Sequence, residues 1–226
     1  MIPTPKAICF DAYGTLFDVH SVGQLAESLF PGKGKALSQL WRDKQVEYTR
    51  LRSMSGRYKP FWEITVDALN YCGAALGLDL GAAQRDALMA QYARLSAFPE
   101  NLQALQRLQA SGLPLAIHTS GNAEMIAQAV ESAGMSGIFS TVLSADRVRR
   151  YKVDASVYQL APDFFNCQAS ELLFVSSNGW DICGATWFGF KTLWVNRSGA
   201  PAECLDVMPS YIGSSLNDVV ALVCGQ

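Results

Sequence analysis

The fold is decided by the stretch FDAYGTLFD, residues 10–18, which ends the first apolar run of the chain. Residues 7–10, AICF, are typical of a fully buried parallel strand, and Gly14 supplies the break that ends it. Asp11 is therefore expected where this strand meets solvent. In open α/β sheets ligands bind outside the carboxyl ends of the strands, so this carboxylate is placed for chemistry. An Asx turn that closes the strand is the alternative interpretation.

The pattern downstream of residue 98 alternates between apolar strand-like segments and helical repeats. Such alternation implies right-handed crossovers and a parallel, doubly wound α/β sheet. We expect the further strands at residues 113–117, 138–143, 172–175 and 191–196, with a short one near 211–212.

Residues 19–97 interrupt this alternation, because they show four successive helical patterns and no strand. The simplest account is a helical cap inserted into the α/β fold. We therefore predict a catalytic core made of residues 1–18 and 98–226, and a cap made of residues 19–97. The apolar pair Phe61-Trp62 is expected in the core of the cap or at a dimer surface.

Three of the predicted strands end in polar side chains, and one lysine, Lys152, lies just before a later helix. The polar residues at the strand ends are Asp11 and Thr15, Thr119 and Ser120, and Ser176, Asn178 and Asp181. Because the carboxyl ends of parallel strands meet at one edge of a sheet, we expect these side chains to converge. A catalytic cluster is normally built in this way in such folds.

Composition favours a small-molecule partner. The 226 residues, half of them hydrophobic, can bury one large core and a modest insertion. Eighteen basic and twenty acidic residues give a net charge of −2, so no electrostatic footprint for nucleic acid or a membrane is visible. The N-terminus carries no charged-then-apolar leader, and no apolar run approaches about 18 residues. We expect a cytoplasmic protein.

The cysteines and histidines give no sign of a metal site. The six cysteines are scattered without CxxC spacing, and we interpret them as buried free thiols in a reducing compartment. With only two histidines, His20 and His118, zinc is disfavoured. A Ser-His-Asp triad through His118 is also disfavoured, because the chain has no G-x-S-x-G elbow. We expect His118 to be a core or edge residue.

FDAYGTLFD resembles the first motif of the haloacid dehalogenase superfamily, and the Ala-Tyr after the Asp resembles its L-2-haloacid dehalogenase branch. The segments at Thr119-Ser120, at Lys152 and at FVSSNGWD, residues 174–181, match the other three motifs in order. The tract LSQLWRDKQVEYT, residues 37–49, is similar to a cap helix of that branch. The resemblance covers essentially the whole chain and implies a Rossmann-like core with a helical cap. We also expect a homodimer.

The resemblance implies a role for each matching residue. Asp11 would be the nucleophile that attacks the halogen-bearing carbon and forms an ester, which water then cleaves at the carboxyl carbon. Lys152 would pair with Asp11 and keep it ionised, since burial of an unpaired carboxylate raises its pKa. The residues implied to hold Lys152 and the hydrolytic water are Thr15, Ser176, Asn178 and Asp181.

Substrate contacts are implied in the same way. Arg42, from the cap, would accept the leaving halide, and Tyr13 with the Thr119-Ser120 turn would bind the substrate carboxylate. Support for the site and its apolar walls would come from Tyr158, Phe61 and Trp180. Without the resemblance we would interpret Arg42 as a solvated charge on a helix face.

Two positions depart from relatives in the superfamily. Phosphatases carry a second Asp two residues after the nucleophile, which protonates the leaving alcohol, whereas this chain has Tyr13. A halide leaves as a stable anion and needs no proton, so a dehalogenase loses nothing by this change. Ser120 stands where the dehalogenase branch usually has an Asn that helps to hold the halide. We therefore expect an altered halide preference or rate.

The predicted activity is the hydrolysis of short L-2-haloalkanoates to D-2-hydroxyalkanoates with inversion, without a cofactor or metal. The alternative is a magnesium-dependent phosphohydrolase of the same superfamily, because Asp11 and Asp181 resemble two ligands of the phosphatase site. A non-catalytic binding protein on this scaffold is a third possibility. It predicts the loss of motif residues, yet Asp11, Lys152 and Asp181 are all present.

Overall fold

The computed structural model describes residues 3–225, and residues 1, 2 and 226 of the predicted core lie outside this range. Six strands of the described chain form one sheet in the order β3-β2-β1-β4-β5-β6, and every neighbouring pair is parallel. The strands are β1 (Ala7–Phe10), β2 (Leu115–Thr119), β3 (Thr141–Ser144), β4 (Leu172–Ser176), β5 (Lys191–Val195) and β6 (Tyr211–Gly213). The predicted parallel α/β sheet is confirmed.

Helices connect the strands and, between β1 and β2, follow one another without a strand. They are α1 (Gly23–Leu29), α2 (Gly34–Ser55), α3 (Phe61–Ala75), α4 (Ala82–Tyr92), α5 (Asn101–Ala110), α6 (Ala123–Ser132), α7 (Ala155–Phe165), α8 (Gly179–Phe188) and α9 (Leu216–Cys224). Helices α1 to α4 occupy the segment assigned to the cap. The division into a core and a cap stays a prediction. In residues 3–225 no helix has both the length and the apolar character required to cross a bilayer.

Side chains of β1 alternate between the two faces of the sheet, as the pleat of a strand requires. Ile8 and Phe10 join the larger apolar cluster, which includes residues of α2, α3, α5 and α9. Ala7 and Cys9 join a second cluster with residues of α7 and α8 on the other face. Both faces are therefore covered, as expected for a parallel sheet.

The strand order places a topological switch at β1. The chain passes from β1 outward to β2 and β3, and then returns to the other side of β1 to add β4, β5 and β6. Phe10 is in register with Ile117 of β2 and Val175 of β4, so the three strands end within two residues of one another. In doubly wound sheets this is the position at which ligands bind.

Two strands begin later in the chain than predicted. The strand expected at 138–143 begins at Thr141, because Gly137 adopts a φ of 78° in the preceding turn and Ile138 follows it there. The strand expected at 113–117 runs from Leu115 to Thr119. Thr119 is the last residue of β2 and thus lies at the strand end, as predicted.

Candidate active site

Asp11 directly follows Phe10, the last residue of β1. Its backbone N–H donates to the carbonyl of Val175 over 2.9 Å, so the sheet itself positions this residue. The chain then turns back on itself at Gly14, whose φ of 94° is readily adopted only by glycine. The turn brings the Thr15 hydroxyl to 3.0 Å from Asp11 Oδ2.

Four side chains donate to the Asp11 carboxylate, which is only 6% exposed. Oδ2 accepts from Thr15, from Asn178 Nδ2 at 2.8 Å and from the Ser176 hydroxyl at 3.4 Å. Oδ1 accepts from Lys152 Nζ at 2.9 Å. These donors come from the turn after β1, from the end of β4 and the loop after it, and from the segment before α7, so the ends of β1 and β4 converge as expected. They hold the carboxylate in one orientation and oppose its negative charge.

Lys152 lies at the centre of the polar cluster and is 2% exposed. Its ammonium donates to Asp11 Oδ1, to Asp181 Oδ2 at 2.8 Å and to the carbonyl of His118 at 3.0 Å, which uses all three of its protons. Burial lowers the pKa of this amine, but the charges of Asp11 and Asp181 outweigh burial, and the pKa is raised above its ordinary value. Lys152 is therefore a permanent cation at neutral pH.

Asp181, in the first turn of α8, is completely buried and accepts from both Lys152 and the Tyr158 hydroxyl, the latter at 2.7 Å. Burial raises the pKa of the Asp181 carboxyl, and Lys152 opposes this without reversing it. Burial, and then the charge of Asp181, raises the pKa of Tyr158 well above its ordinary range. Gly184 leaves room for this phenol, since a Cβ at that position would lie 2.5 Å from the Tyr158 oxygen.

Arg42, on α2, brings a second cation to the site from the segment assigned to the cap. Its Nη2 donates to the carbonyl of Tyr13 at 3.2 Å and to Asn178 Oδ1 at 3.4 Å, and its Nη1 donates to Gln45 Oε1 at 2.9 Å. Asn178 thus contacts both Arg42 and the carboxylate of Asp11. The guanidinium lies beside the nucleophile candidate without pairing with it.

An aromatic stack forms one wall of the site. The Tyr13 ring stacks on Phe61 with 5.2 Å between ring centroids and on Tyr92 with 5.7 Å. On another side Gly121 approaches so closely that a Cβ there would lie 2.8 Å from the ring. Burial raises the pKa of Tyr13 well above its ordinary value, so its hydroxyl remains protonated. Phe61 is buried in the larger apolar cluster and Trp62 packs against that cluster, while their assignment to the core of a cap or to a dimer surface stays a prediction.

The remaining predicted residues surround this network. Thr119 is buried, and its hydroxyl accepts from the Gly121 N–H at 3.0 Å, which shapes the turn after β2. Ser120 follows at the same edge and is half-buried. Trp180 lies in the first turn of α8, with the guanidinium of Arg50 4.6 Å from its ring centroid. Their roles toward a substrate stay predictions.

Two buried amide side chains lie at the site but were not among the residues predicted from the sequence. Gln45 is 1% exposed and contacts Arg42. Asn101 is completely buried, and its Nδ2 donates to the carbonyls of Thr15 and Leu16 at 3.1 and 2.9 Å, which braces the turn after Asp11. A signal existed for Gln45, because it follows the apolar residues Leu37 and Trp41 at helical spacing on α2. His118 is buried, as expected, and burial lowers its pKa to about 3.

The space between Asp11 and Asp181 does not suit a divalent cation. The Lys152 ammonium lies there, within 2.9 Å of one carboxylate and 2.8 Å of the other. Within residues 3–225 no group of three or more His, Cys, Asp and Glu side chains is arranged to hold a metal ion. A metal would have to displace a buried cation that both carboxylates stabilise, so we derive no chemical step through one.

Known proteins share both the sequence and this fold. Residues 5–189 match the family model of haloacid dehalogenase-like hydrolases. An (S)-2-haloacid dehalogenase from Pseudomonas sp. (strain YL) is 46% identical over 217 residues, which are 96% of this chain and 94% of that protein. The crystal structure of the L-2-haloacid dehalogenase RSc1362 superposes with a TM-score of 0.96 at 55% identity, covering 98% of this chain and 100% of that one.

A second solved structure contains a covalently bound haloacid. The L-2-haloacid dehalogenase from Xanthobacter autotrophicus with chloropropionic acid covalently bound has a TM-score of 0.91 at 36% identity, covering 98% of this chain and 99% of that one. These matches agree with the parallel α/β sheet described above. The protein belongs to the haloacid dehalogenase-like hydrolase family.

Proposed function

We propose that the protein is an (S)-2-haloacid dehalogenase, which hydrolyses short L-2-haloalkanoates to D-2-hydroxyalkanoates. The observation that carries this proposal is the pairing of a buried Asp11 carboxylate with Lys152, beside an arginine from the cap and without an acid at position 13. Its relatives with this name match more than nine-tenths of the chain.

In the first step Asp11 attacks C2 of the substrate from the side opposite the halogen. A C–O bond forms between the carboxylate and C2, the carbon–halogen bond breaks with its electron pair, and the configuration inverts. The halide leaves toward the Arg42 guanidinium, which stabilises the developing negative charge. Lys152 keeps the nucleophile ionised.

In the second step water attacks the carboxyl carbon of the Asp11 ester and releases the D-2-hydroxyalkanoate. The Thr15, Ser176 and Asn178 side chains that contact Asp11 hold the ester and the water, and Asp181 holds Lys152. Because C2 is not attacked again, the inversion of the first step is preserved. Asp11 returns to its starting state.

The rest of the site selects the substrate. Tyr13 and the Thr119-Ser120 turn bind the substrate carboxylate, and Tyr158 supports the site through Asp181. Phe61 and Trp180 form apolar walls around the alkyl group. A phosphohydrolase is not favoured, because a neutral, stacked Tyr13 replaces the acid that would protonate a leaving alcohol.

Halide release from the two enantiomers of 2-chloropropionate tests the proposal. We expect chloride from the L enantiomer, D-lactate as the product, and no chloride from the D enantiomer. Release of phosphate from p-nitrophenyl phosphate with magnesium, and no chloride from either enantiomer, would establish the phosphohydrolase instead.

We also propose a cytoplasmic homodimer. The six cysteines are all free and three of them are buried, which suits a reducing compartment.

The outer face of the cap exposes apolar side chains, including Leu51 and Met54 of α2, with Met54 84% exposed, and Tyr71 of α3. A second copy would cover this face. Light scattering should give twice the mass of the chain, and Met54→Lys should shift it toward the monomer.

A further inference from the structure

Three cap helices meet at the side-chain amide of Gln45. The residue lies on α2, one helical turn after Arg42, and is 1% exposed. Its Oε1 accepts from Arg42 Nη1 at 2.9 Å. Its Nε2 donates to Thr65 Oγ1 of α3 at 2.7 Å and lies 3.0 Å from the hydroxyl of Tyr92, the last residue of α4.

The orientation of this amide is determined by Thr65. The Thr65 hydroxyl donates its single proton to the carbonyl of Phe61 at 2.8 Å, so its oxygen can act toward Gln45 only as an acceptor. The NH2 group of Gln45 must therefore face Thr65, and its carbonyl oxygen must face Arg42. A flipped amide would place two acceptors together at Thr65 and two donors together at Arg42.

We propose that Gln45 is the positioning residue that aims the Arg42 guanidinium at the leaving halide; this inference rests on the proposed function. Arg42 forms its three hydrogen bonds to the neutral oxygens of Gln45, Tyr13 and Asn178. These contacts fix the direction of the guanidinium and leave its positive charge uncompensated. A carboxylate at position 45 would hold the guanidinium equally well but would cancel the charge that the halide needs.

The chemistry predicts a signature that depends on the leaving group. Chloride concentrates its charge more than bromide does and is the poorer leaving group, so its departure depends more on an aimed guanidinium. Hydrolysis of the ester involves no halide. Loss of the Gln45 contact should therefore slow the first step more for chloride than for bromide, and should leave the second step unchanged.

The test is the single-turnover rate of halide release from L-2-chloropropionate and L-2-bromopropionate, measured by rapid quench, together with the rate of ester hydrolysis. Gln45→Met keeps the length of the side chain and removes both polar atoms. We expect chloride release to fall about ten- to hundredfold, as for the loss of a hydrogen bond to a charged group. Bromide release should fall less. Gln39→Met, at an exposed position of the same helix, is the matched control and should match the wild type.

Two further variants address the mechanism and guard against a folding defect. Thr65→Val removes the acceptor that orients the amide and should raise the bromide-to-chloride rate ratio by a smaller factor. Gln45→Glu should slow chloride release at least as much as Gln45→Met, because it neutralises Arg42.

The inference would be overturned if Gln45→Met and Thr65→Val slowed the release of chloride and of bromide equally, because Gln45 would then have only a packing role. Wild-type rates of halide release in Gln45→Glu would overturn it as well. If Gln45→Met does not fold, the ratio in Thr65→Val decides. A wild-type enzyme that releases neither halide would instead overturn the proposed function, and this inference with it.

Discussion

The predicted core and the predicted cap each supply one cation to the candidate site, and the two cations are held in different ways. Lys152 is buried and bonded to two carboxylates and a carbonyl, so its charge is balanced within the protein. Arg42 is partly exposed and bonded to neutral oxygens. The core cation therefore stabilises groups that are always present. The charge of the cap cation is not balanced by a carboxylate in these contacts, so it can stabilise the halide as that anion forms and departs.

The largest expected effect comes from removing the core cation. Lys152→Met would leave the carboxylates of Asp11 and Asp181 buried beside each other without a counter-charge. Loss of one partner of a buried ion pair destabilises by about 3–5 kcal/mol, and we expect that loss in urea denaturation. Halide release should fall at least about a thousandfold, because the cation that orients and balances the charge of the Asp11 nucleophile is lost.

Lys191→Met is the control for this prediction, since Lys191 begins β5 with an exposed side chain. It should alter neither the stability nor the rate by a measurable amount. A Lys152→Met enzyme with the stability of the wild type would contradict the assignment of Lys152 as the charge that balances both carboxylates.

Removing the cap cation should affect rate far more than stability. Arg42→Ala should lower turnover of L-2-chloropropionate at least about a hundredfold, since a preorganised charge at a developing anion contributes several kcal/mol in a site that excludes water. Arg42→Lys should recover only part of the rate, because it retains the charge but loses the planar fork. Steady-state halide release measures both.

Arg52→Ala on the same helix is the control for Arg42, since Arg52 lies at the surface, where it forms a loose ion pair of 3.7 Å with Asp67 and donates to the carbonyl of Arg57. It should behave as the wild type. Near-normal turnover in Arg42→Ala would mean that the halide leaves elsewhere. It would contradict the assignment of Arg42 as the cation that stabilises the leaving halide.

The core side of the site should also show a pH dependence that the cap side lacks. His118 is buried against Tyr158, with parallel rings 5.7 Å apart, and burial lowers its pKa from 6.5 to about 3. The unfolded chain therefore takes up this proton first, so stability is complete above pH 6.5 and is lost as the pH falls toward 3. At pH 5 the loss due to this one group is about 2 kcal/mol.

The measurement is the free energy of unfolding of the wild type and His118→Leu at pH 7 and pH 5. The difference between the two proteins should change by about 2 kcal/mol in favour of the variant at the lower pH. His20→Leu, at an exposed position, controls for the removal of a histidine. Parallel behaviour of wild type and His118→Leu would show that His118 accepts a proton in the folded protein.

The smallest expected effect concerns the turn after β2. Ser120 offers one donor where an Asn would offer two, and it is half-buried at the edge of the site. Ser120→Asn should alter the relative rates for fluoride, chloride and bromide by a few-fold and leave the melting temperature nearly unchanged. An unchanged halide profile would remove Ser120 from the halide-binding part of the site.

The core side of the site was more predictable from sequence than the cap side. Asp11, Thr119 and Ser176 each lie at a strand end, and parallel strands bring their ends together whatever the connections between them. The pairing of Lys152 with Asp11, expected from the resemblance, is found at 2.9 Å. The catalytic roles of these residues stay predictions.

Gln45 could not be assigned in this way. Its partners Thr65 and Tyr92 are 20 and 47 residues away on two other helices, and no periodic pattern predicts which helix faces meet. The same limit applies to Asn101, which braces Thr15 from 86 residues away. Which buried polar side chains meet between helices depends on how the helices pack. Which strand ends lie close together depends only on the order of the strands in the sheet.

Oxygen-18 labelling tests the central claim, that Asp11 attacks carbon, most directly. With enzyme in excess over L-2-chloropropionate in oxygen-18 water, the first molecule of D-lactate should carry unlabelled oxygen, because that oxygen comes from the Asp11 carboxylate. Mass spectrometry of the peptide that contains Asp11 should then show one heavy oxygen, delivered when water cleaves the ester. Labelled lactate in the first turnover, with an unlabelled Asp11 peptide, would contradict the account and make Asp11 a base that activates water.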